Sequence, residues 1–118
     1  MDKEDRIAVA SSDGIVVNSH FGRAKEFYIY LVDQDEQISF LEKRAVVPVC
    51  DRGNHDQERL SENLQKIKDC NYLLVSRIGD EAERIAKEYG IDSYEIPGVI
   101  TESIEQLIKY TKIKKLFE

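Results

Sequence analysis

The stretch "NYLLVSRIGDEAERIAKEYG", residues 71–90, decides how the rest of the chain is arranged. Tyr72, Leu73, Leu74 and Val75 form a bare apolar run of strand length, apolar enough to be covered on both faces. Ala82, Ile85, Ala86 and Tyr89 then recur at helical spacing, and Gly90 is placed to end that helix in the left-handed conformation. A buried strand that feeds a helix calls for a further parallel strand after a right-handed crossover. The segment "IDSYEI", residues 91–96, supplies a weaker one.

Toward the N-terminus, "RIAVAS" at 6–11 is a run of small apolar residues that reads as a central strand. "FYIYLVD" at 27–33 is apolar on both alternating faces, which again suits a strand covered on two sides. Residues 33–37 are a polar hairpin connection, and 38–47 carry enough apolar alternation for a third strand. Pro48 closes that strand because it cannot donate to a ladder. Leu60, Leu64 and Ile67 give a helix over about 56–68. Asn54 and Gln57 have capping-box spacing there, with Asp56 as a competing cap. Thr101 is expected to cap a last helix with Ile104, Leu107 and Ile108 inward. Glu102 and Glu105 lie near its positive end, and four lysines between 109 and 115 near its negative end. The order β-β-β-α-β-α-β-α describes an α/β protein, a mixed five-stranded sheet with helices on its faces, in a single domain over residues 1–118.

Composition narrows the function classes. A 118-residue chain that is 42% hydrophobic is an ordinary globular domain. Its net charge of −6 opposes binding to nucleic acid or an anionic membrane. No apolar run approaches membrane-spanning length, and the first ten residues carry no apolar leader segment. The two cysteines, Cys50 and Cys70, form no CxxC pair and no disulfide framework, so a cytoplasmic setting with reduced thiols is expected.

Strand direction places the unusual residues. If the first three strands form an antiparallel meander and the fourth and fifth run parallel to the first, four strands share a direction. Loops 11–26, 49–55, 76–79 and 96–99 then leave the same edge of the sheet, where open α/β sheets bind ligands. Those loops hold both histidines, His20 and His55, with Cys50 and the arginines Arg23, Arg52 and Arg77. Imidazole and thiolate suit iron, zinc or an iron–sulfur centre better than calcium or magnesium. A helix opening at Gly79 adds backbone donors for an anion.

The stretches "IAVASSDG", "NSHFGRAKEFYIYLVD", "VVPVCDRGNH" and "ENLQKIKDCNYLLVSRIGDEA" resemble, in this order, the dinitrogenase iron–molybdenum cofactor biosynthesis family. HFGRA is the most specific piece. The resemblance implies a ribonuclease H-like fold and a non-catalytic role in nitrogen fixation. That role is binding and carrying an iron–sulfur cluster, or a precursor of the iron–molybdenum cofactor, between cluster donor and acceptor proteins. It implies His20 as the metal contact, with Cys50 and His55 in a second ligand segment. Phe21, Gly22, Arg23, Arg77 and Gly79 are expected around the bound cofactor. Some members are fused to a radical-SAM cluster-building enzyme, but no CxxxCxxC occurs in these 118 residues.

Each residue also has a plainer reading. His20 reads also as a residue that hydrogen-bonds a loop backbone, His55 as a helix-cap neighbour, and Cys50 as a small buried hydrophobe. Gly22 reads as a positive-φ turn residue. Arg23 reads as a partner of Asp13 or Glu26, and Asp13 with Gly14 as a turn. Cys70 and the aromatics Phe27, Tyr28, Tyr30 and Phe40 read as core. A two-metal nuclease is excluded, because the first strand offers no carboxylate. The alternative to a carrier is a regulatory or protein-interaction module that binds no metal, or a single zinc or iron ion. The sequence leaves the oligomeric state open.

Overall fold

The computed structural model describes residues 4–51, 54, 55 and 57–118. Its five-stranded sheet is built from β1 (Asp5–Ala10), β3 (Glu26–Val32), β4 (Ile38–Ala45), β7 (Tyr72–Val75) and β8 (Asp92–Glu95), in the order β4-β3-β1-β7-β8. β3 pairs antiparallel with β1 and with β4, whereas β7 runs parallel to β1, and β8 parallel to β7. This is the expected ribonuclease H-like mixed sheet. Two small ribbons were not expected: β2 (Val16–Val17) with β9 (Gly98–Val99), and β5 (Cys50–Asp51) with β6 (Asn54–His55).

The side-chain period of two divides the core into two layers. Ala8, Ala10, Phe27, Ile29, Leu73 and Val75 face α1 (Gln57–Lys66) and α2 (Asp80–Glu88), and meet Leu60, Leu64 and Ala86. Ile7, Val9, Val32 and Leu74 face the other way, onto Ile100, Ile104 and Leu107 of α3 (Ile100–Leu116). A sheet buried on both sides needs the bare apolar runs seen in the sequence.

Local chemistry sets the element ends. Gly90 adopts φ +82°; its N–H bonds the Lys87 carbonyl at 2.9 Å, and the Ile91 N–H bonds the Ala86 carbonyl at 3.0 Å. This double closure is the Schellman arrangement expected of a glycine-terminated helix. The 33–37 connection closes on the Asp33 carboxylate, which accepts from the N–H groups of Asp35 and Gln37. β4 ends at Ala45 rather than Val47. Val46 and Val49 turn inward, and the buried Asn63 amide donates to the Val47 carbonyl at 2.6 Å.

Three expectations are corrected here. Thr101 does not cap α3: the chain enters that helix directly from β9, with Val99 at the cap and the Ile100 N–H bonded to the Ile15 carbonyl at 2.9 Å. Asn54 lies in β6 rather than capping α1; Asp56 and Arg52 lie outside the described residues. Phe40 is not core. β4 is an edge strand bulged at Leu41, and Phe40 is 53% exposed while its ring rests edge-on against Tyr30.

Candidate functional site

β1 ends at Ala10, and the chain then makes an excursion that returns to the same sheet line. The Ser19 N–H bonds the Ala10 carbonyl at 3.3 Å, the Ser76 N–H bonds the Ser19 carbonyl at 3.0 Å, and the Phe21 N–H bonds the Arg77 carbonyl at 2.8 Å. His20 thereby forms a parallel bridge with Arg77, in the place a longer β1 would occupy beside β7. This is the point where strand order reverses, the usual ligand position in open α/β sheets.

The excursion is held by its own polar groups. The Asp13 carboxylate accepts from the N–H groups of Ile15 and Val16 at 2.8 and 3.1 Å, which hold it below the usual carboxylate range. The buried Ser11 hydroxyl accepts from the Gly14 N–H at 2.9 Å. Gly14 has φ +76°, and an added Cβ would lie 2.7 Å from the Tyr28 ring. Both features demand glycine.

His20 opens a 3-10 turn, Phe21–Arg23, and its carbonyl accepts from the Arg23 N–H at 3.1 Å. Gly22 therefore has helical dihedrals and is not a positive-φ residue; the left-handed turn falls at Gly14. Phe21 anchors the turn: it is 2% exposed and stacks on Phe27 with ring centroids 6.0 Å apart. His20, Arg23 and Arg77 are exposed, and among the described residues their side chains form no hydrogen bond or ion pair. The expected pairing of Arg23 with Asp13 or Glu26 is absent. Asp13 is committed to backbone N–H groups, and Glu26 pairs with Lys43 at 3.4 Å.

The segment expected to hold further ligands folds as the β5–β6 ribbon, with Cys50 and His55 as cross-strand register partners. β5 lies against the 3-10 turn, so both loops meet at one edge. Gly79 lies on that edge at the start of α2, with φ −74° and open space where a Cβ would stand. The fold does not require glycine there. Cys70 is at the other edge, where the following Asn71 N–H bonds the Arg6 carbonyl. It is 3% exposed, and burial pushes its thiol up to about 12.

A cavity of about 440 Å³ opens beside the turn, lined by Phe21, Gly22, Val49, Leu60, Gly79 and Ala82, with Asp80 and Glu81. His20, Arg23 and Arg77 do not line it. The first turn of α2 already carries Asp80, Glu81 and Glu83, which complement the helix dipole. An anion is therefore better placed on the arginine side of the turn than above this helix. Val49, Leu60 and the two acids were not expected at the site. The acids had a visible signal in their position at the start of the periodic segment. Among the described residues, no three His, Cys, Asp or Glu side chains are grouped to hold a metal, and no helix is long and apolar enough to cross a membrane.

Comparison with known proteins finds relatives that align over most of the chain. The chain is similar to the FeMo cofactor biosynthesis protein NifB of Chlorobaculum tepidum, 32% identical over 112 residues that cover 95% of this chain and 26% of that protein. It is similar to Protein NifY of Klebsiella pneumoniae, 36% identical over 75 residues, or 64% of this chain and 31% of that one. It thus spans about a quarter to a third of these relatives' lengths. The fold is shared with the crystal structure of PH0822, at TM-score 0.61 and 22% identity over 88% of this chain and 90% of that one. An NMR structure of a Thermotoga protein assigned to the DUF35 family aligns at TM-score 0.57 and 21% identity, over 89% and 88% of the two chains. The dinitrogenase iron–molybdenum cofactor family model matches residues 4–110, and this chain is a member of that family.

Proposed function

We propose that the domain binds an iron–sulfur cluster or an iron–molybdenum cofactor precursor and carries it, without catalysing a reaction, between cluster donor and acceptor proteins in the cytoplasm. The observation that carries this reading is His20: an exposed imidazole with no hydrogen-bond partner among the described residues, fixed beside Arg77 where strand order reverses. A neutral imidazole is a good iron ligand. Cys50 and His55, opposed in the adjoining ribbon, offer a thiolate and a second imidazole. Arg23 and Arg77 supply positive charge for an anionic cargo. Gly79 adds no side chain to crowd that edge. A carrier benefits from few ligands, because a cluster held by a full cage of four cysteines is slow to leave.

The alternative module without a cluster is favoured by one observation, that the described residues contain no ready-made group of three ligands. Anaerobic loading separates the two. Wild type, His20→Ala and Cys70→Ala are exposed to a cluster donor, passed through gel filtration and assayed for iron and sulfide. The carrier reading expects charge-transfer absorbance in wild type, a clear loss in His20→Ala and little change in Cys70→Ala. Retention should also fall on acidification, since ligands must be deprotonated. Equal retention by all three proteins removes His20 from the site, and a colourless, metal-free wild type favours the module.

A further inference from the structure

The C-terminal part of helix α3, from Tyr110 onward, is apolar on a second side, opposite the one the helix buries. At about 100° per residue, Ile104, Leu107, Ile108 and Thr111 fall on one arc. Ile104 and Leu107 are buried against the sheet, with Ile108 packed beside them. Tyr110 and Ile113 fall on the other side at i and i+3, and Phe117, at i+7, is the C-cap just past the helix, with Leu116 beside them. Their exposures are 51%, 56%, 85% and 80%. Tyr110 touches Tyr94 at the border of this stripe, ring centroids 5.4 Å apart. An amphipathic helix packed on a sheet needs only one apolar face.

Charge sets the stripe apart from the rest of the surface. Four lysines against Glu118 give residues 109–118 a charge of +3, leaving −9 for residues 1–108. Lys109 and Lys114 flank the stripe and make no ion pair among the described residues, whereas Lys112 pairs with Glu36.

We infer that this stripe is a docking surface for a different protein, one that presents an apolar groove with an acidic rim. Anchors at i, i+3 and i+7 are the signature of a helix laid in a groove. Charge complementarity selects the rim. A second copy is a poor occupant, because a two-fold contact of stripe on stripe sets lysine against lysine. Stripe against the acidic remainder would propagate without closing. An anionic membrane would repel the −9 remainder, and a nucleic acid would use the lysines without Leu116 and Phe117.

The stripe lies away from the His20 edge. α3 begins at the Ile15 carbonyl, beside the loops of that edge, and ends where Lys112 meets Glu36 in the β3–β4 turn and Lys115 acts on Asp5 at the start of β1. A partner on the stripe would leave the His20 edge uncovered.

The test places photoreactive benzoylphenylalanine at Phe117, and at Phe40 as an exposed control, in the full chain within its own cells. The expected result is one protein crosslinked from position 117 through an acidic segment. The yield should fall roughly tenfold with Lys109→Glu/Lys114→Glu and with Ile113→Ser/Leu116→Ser, and, when the crosslinking is repeated in a lysate of those cells, at salt of about 1 M, where the screening length is about 3 Å. Thermal melts verify that these exposed substitutions leave the fold intact. Crosslinking to a second copy, yield no greater than at Phe40, indifference to charge reversal, or binding to phosphatidylglycerol vesicles would each overturn the inference.

Discussion

At the N-terminal edge of β1 and β7, polar groups are matched to one another. Arg44 reaches from β4 to hold both Asp69 carboxylate oxygens, at 2.7 and 2.9 Å, while also donating to Glu42 and to the Lys66 carbonyl. Those hydrogen bonds hold the Asp69 carboxyl below the usual range. The neighbouring Cys70 thiol is buried and pushed up. At the opposite edge, the backbone is as well bonded, but the side chains of His20, Arg23 and Arg77 reach solvent without partners among the described residues. The difference separates two uses of polar groups. Where side chains satisfy each other they join elements; where only the main chain is satisfied, side chains remain available to something else.

The contrast is open to direct attack. Phe21→Ala should have the largest effect, about 3–5 kcal/mol by urea unfolding, because the ring is fully packed beneath the His20 turn. A loss below about 1 kcal/mol, the ordinary scale of point changes, would mean that the turn is not anchored in the core. Gly14→Ala forces a side chain into positive φ and against Tyr28, and should cost roughly 1–3 kcal/mol. A neutral result would show that the 11–18 excursion adjusts freely.

Arg44→Ala should cost about 1–2 kcal/mol, discounted because Asp69 is 40% exposed. Asp69 has a depressed folded pKa, so its contribution is complete above the ordinary carboxylate pKa near 4 and is lost as pH falls through the folded value. Wild type and Arg44→Ala should therefore converge in acid melts; a constant gap would refute the pairing.

The smallest stability changes belong to the other edge. His20→Ala and Gly79→Ala should each stay within about 0.5 kcal/mol, as exposed residues outside the packing. Losses comparable to Phe21→Ala would make His20 structural and erase the contrast. For Cys70 the sign is reversed from Asp69. With the folded thiol near 12 and an unfolded value near 8.5, stability falls as pH rises between them, because only the unfolded chain has released the proton. In a Cys50→Ser background, iodoacetamide labelling of Cys70 at pH 8.5 should be slow until denaturant is added.

Elements that bury whole side chains were legible in the sequence. Leu60, Leu64 and Ile67 marked α1, the run at 72–75 marked β7, and Gly90 marked the end of α2, because in each the signal and its cause lie within one turn or strand. The strand-direction argument then carried the HFGRA turn, the Cys50 loop and Gly79 to one edge. Features set by distant partners were not legible. β2 and β9 are two residues each and are strands only because they meet. Thr101 had the right chemistry for a cap, but the Ile15 carbonyl moved the helix start. Gly22 had no local mark to separate a 3-10 turn from a left-handed one. The exposure of Phe40 depended on β4 being an edge strand, which composition does not record.

The β2–β9 ribbon also bears on the order of folding. It joins Val16 to Val99 and Val17 to Gly98, residues more than eighty positions apart. Closing so long a loop is entropically unfavourable until intervening structure has brought its ends together. During synthesis, the His20 excursion therefore cannot be clamped until residue 100 has emerged and α3 can dock. Hydrogen exchange during refolding should protect the Ile100 amide, bonded to Ile15, later than the β1–β3 ladder. A growing chain would thus complete its core strands before it presents the His20 edge in finished form.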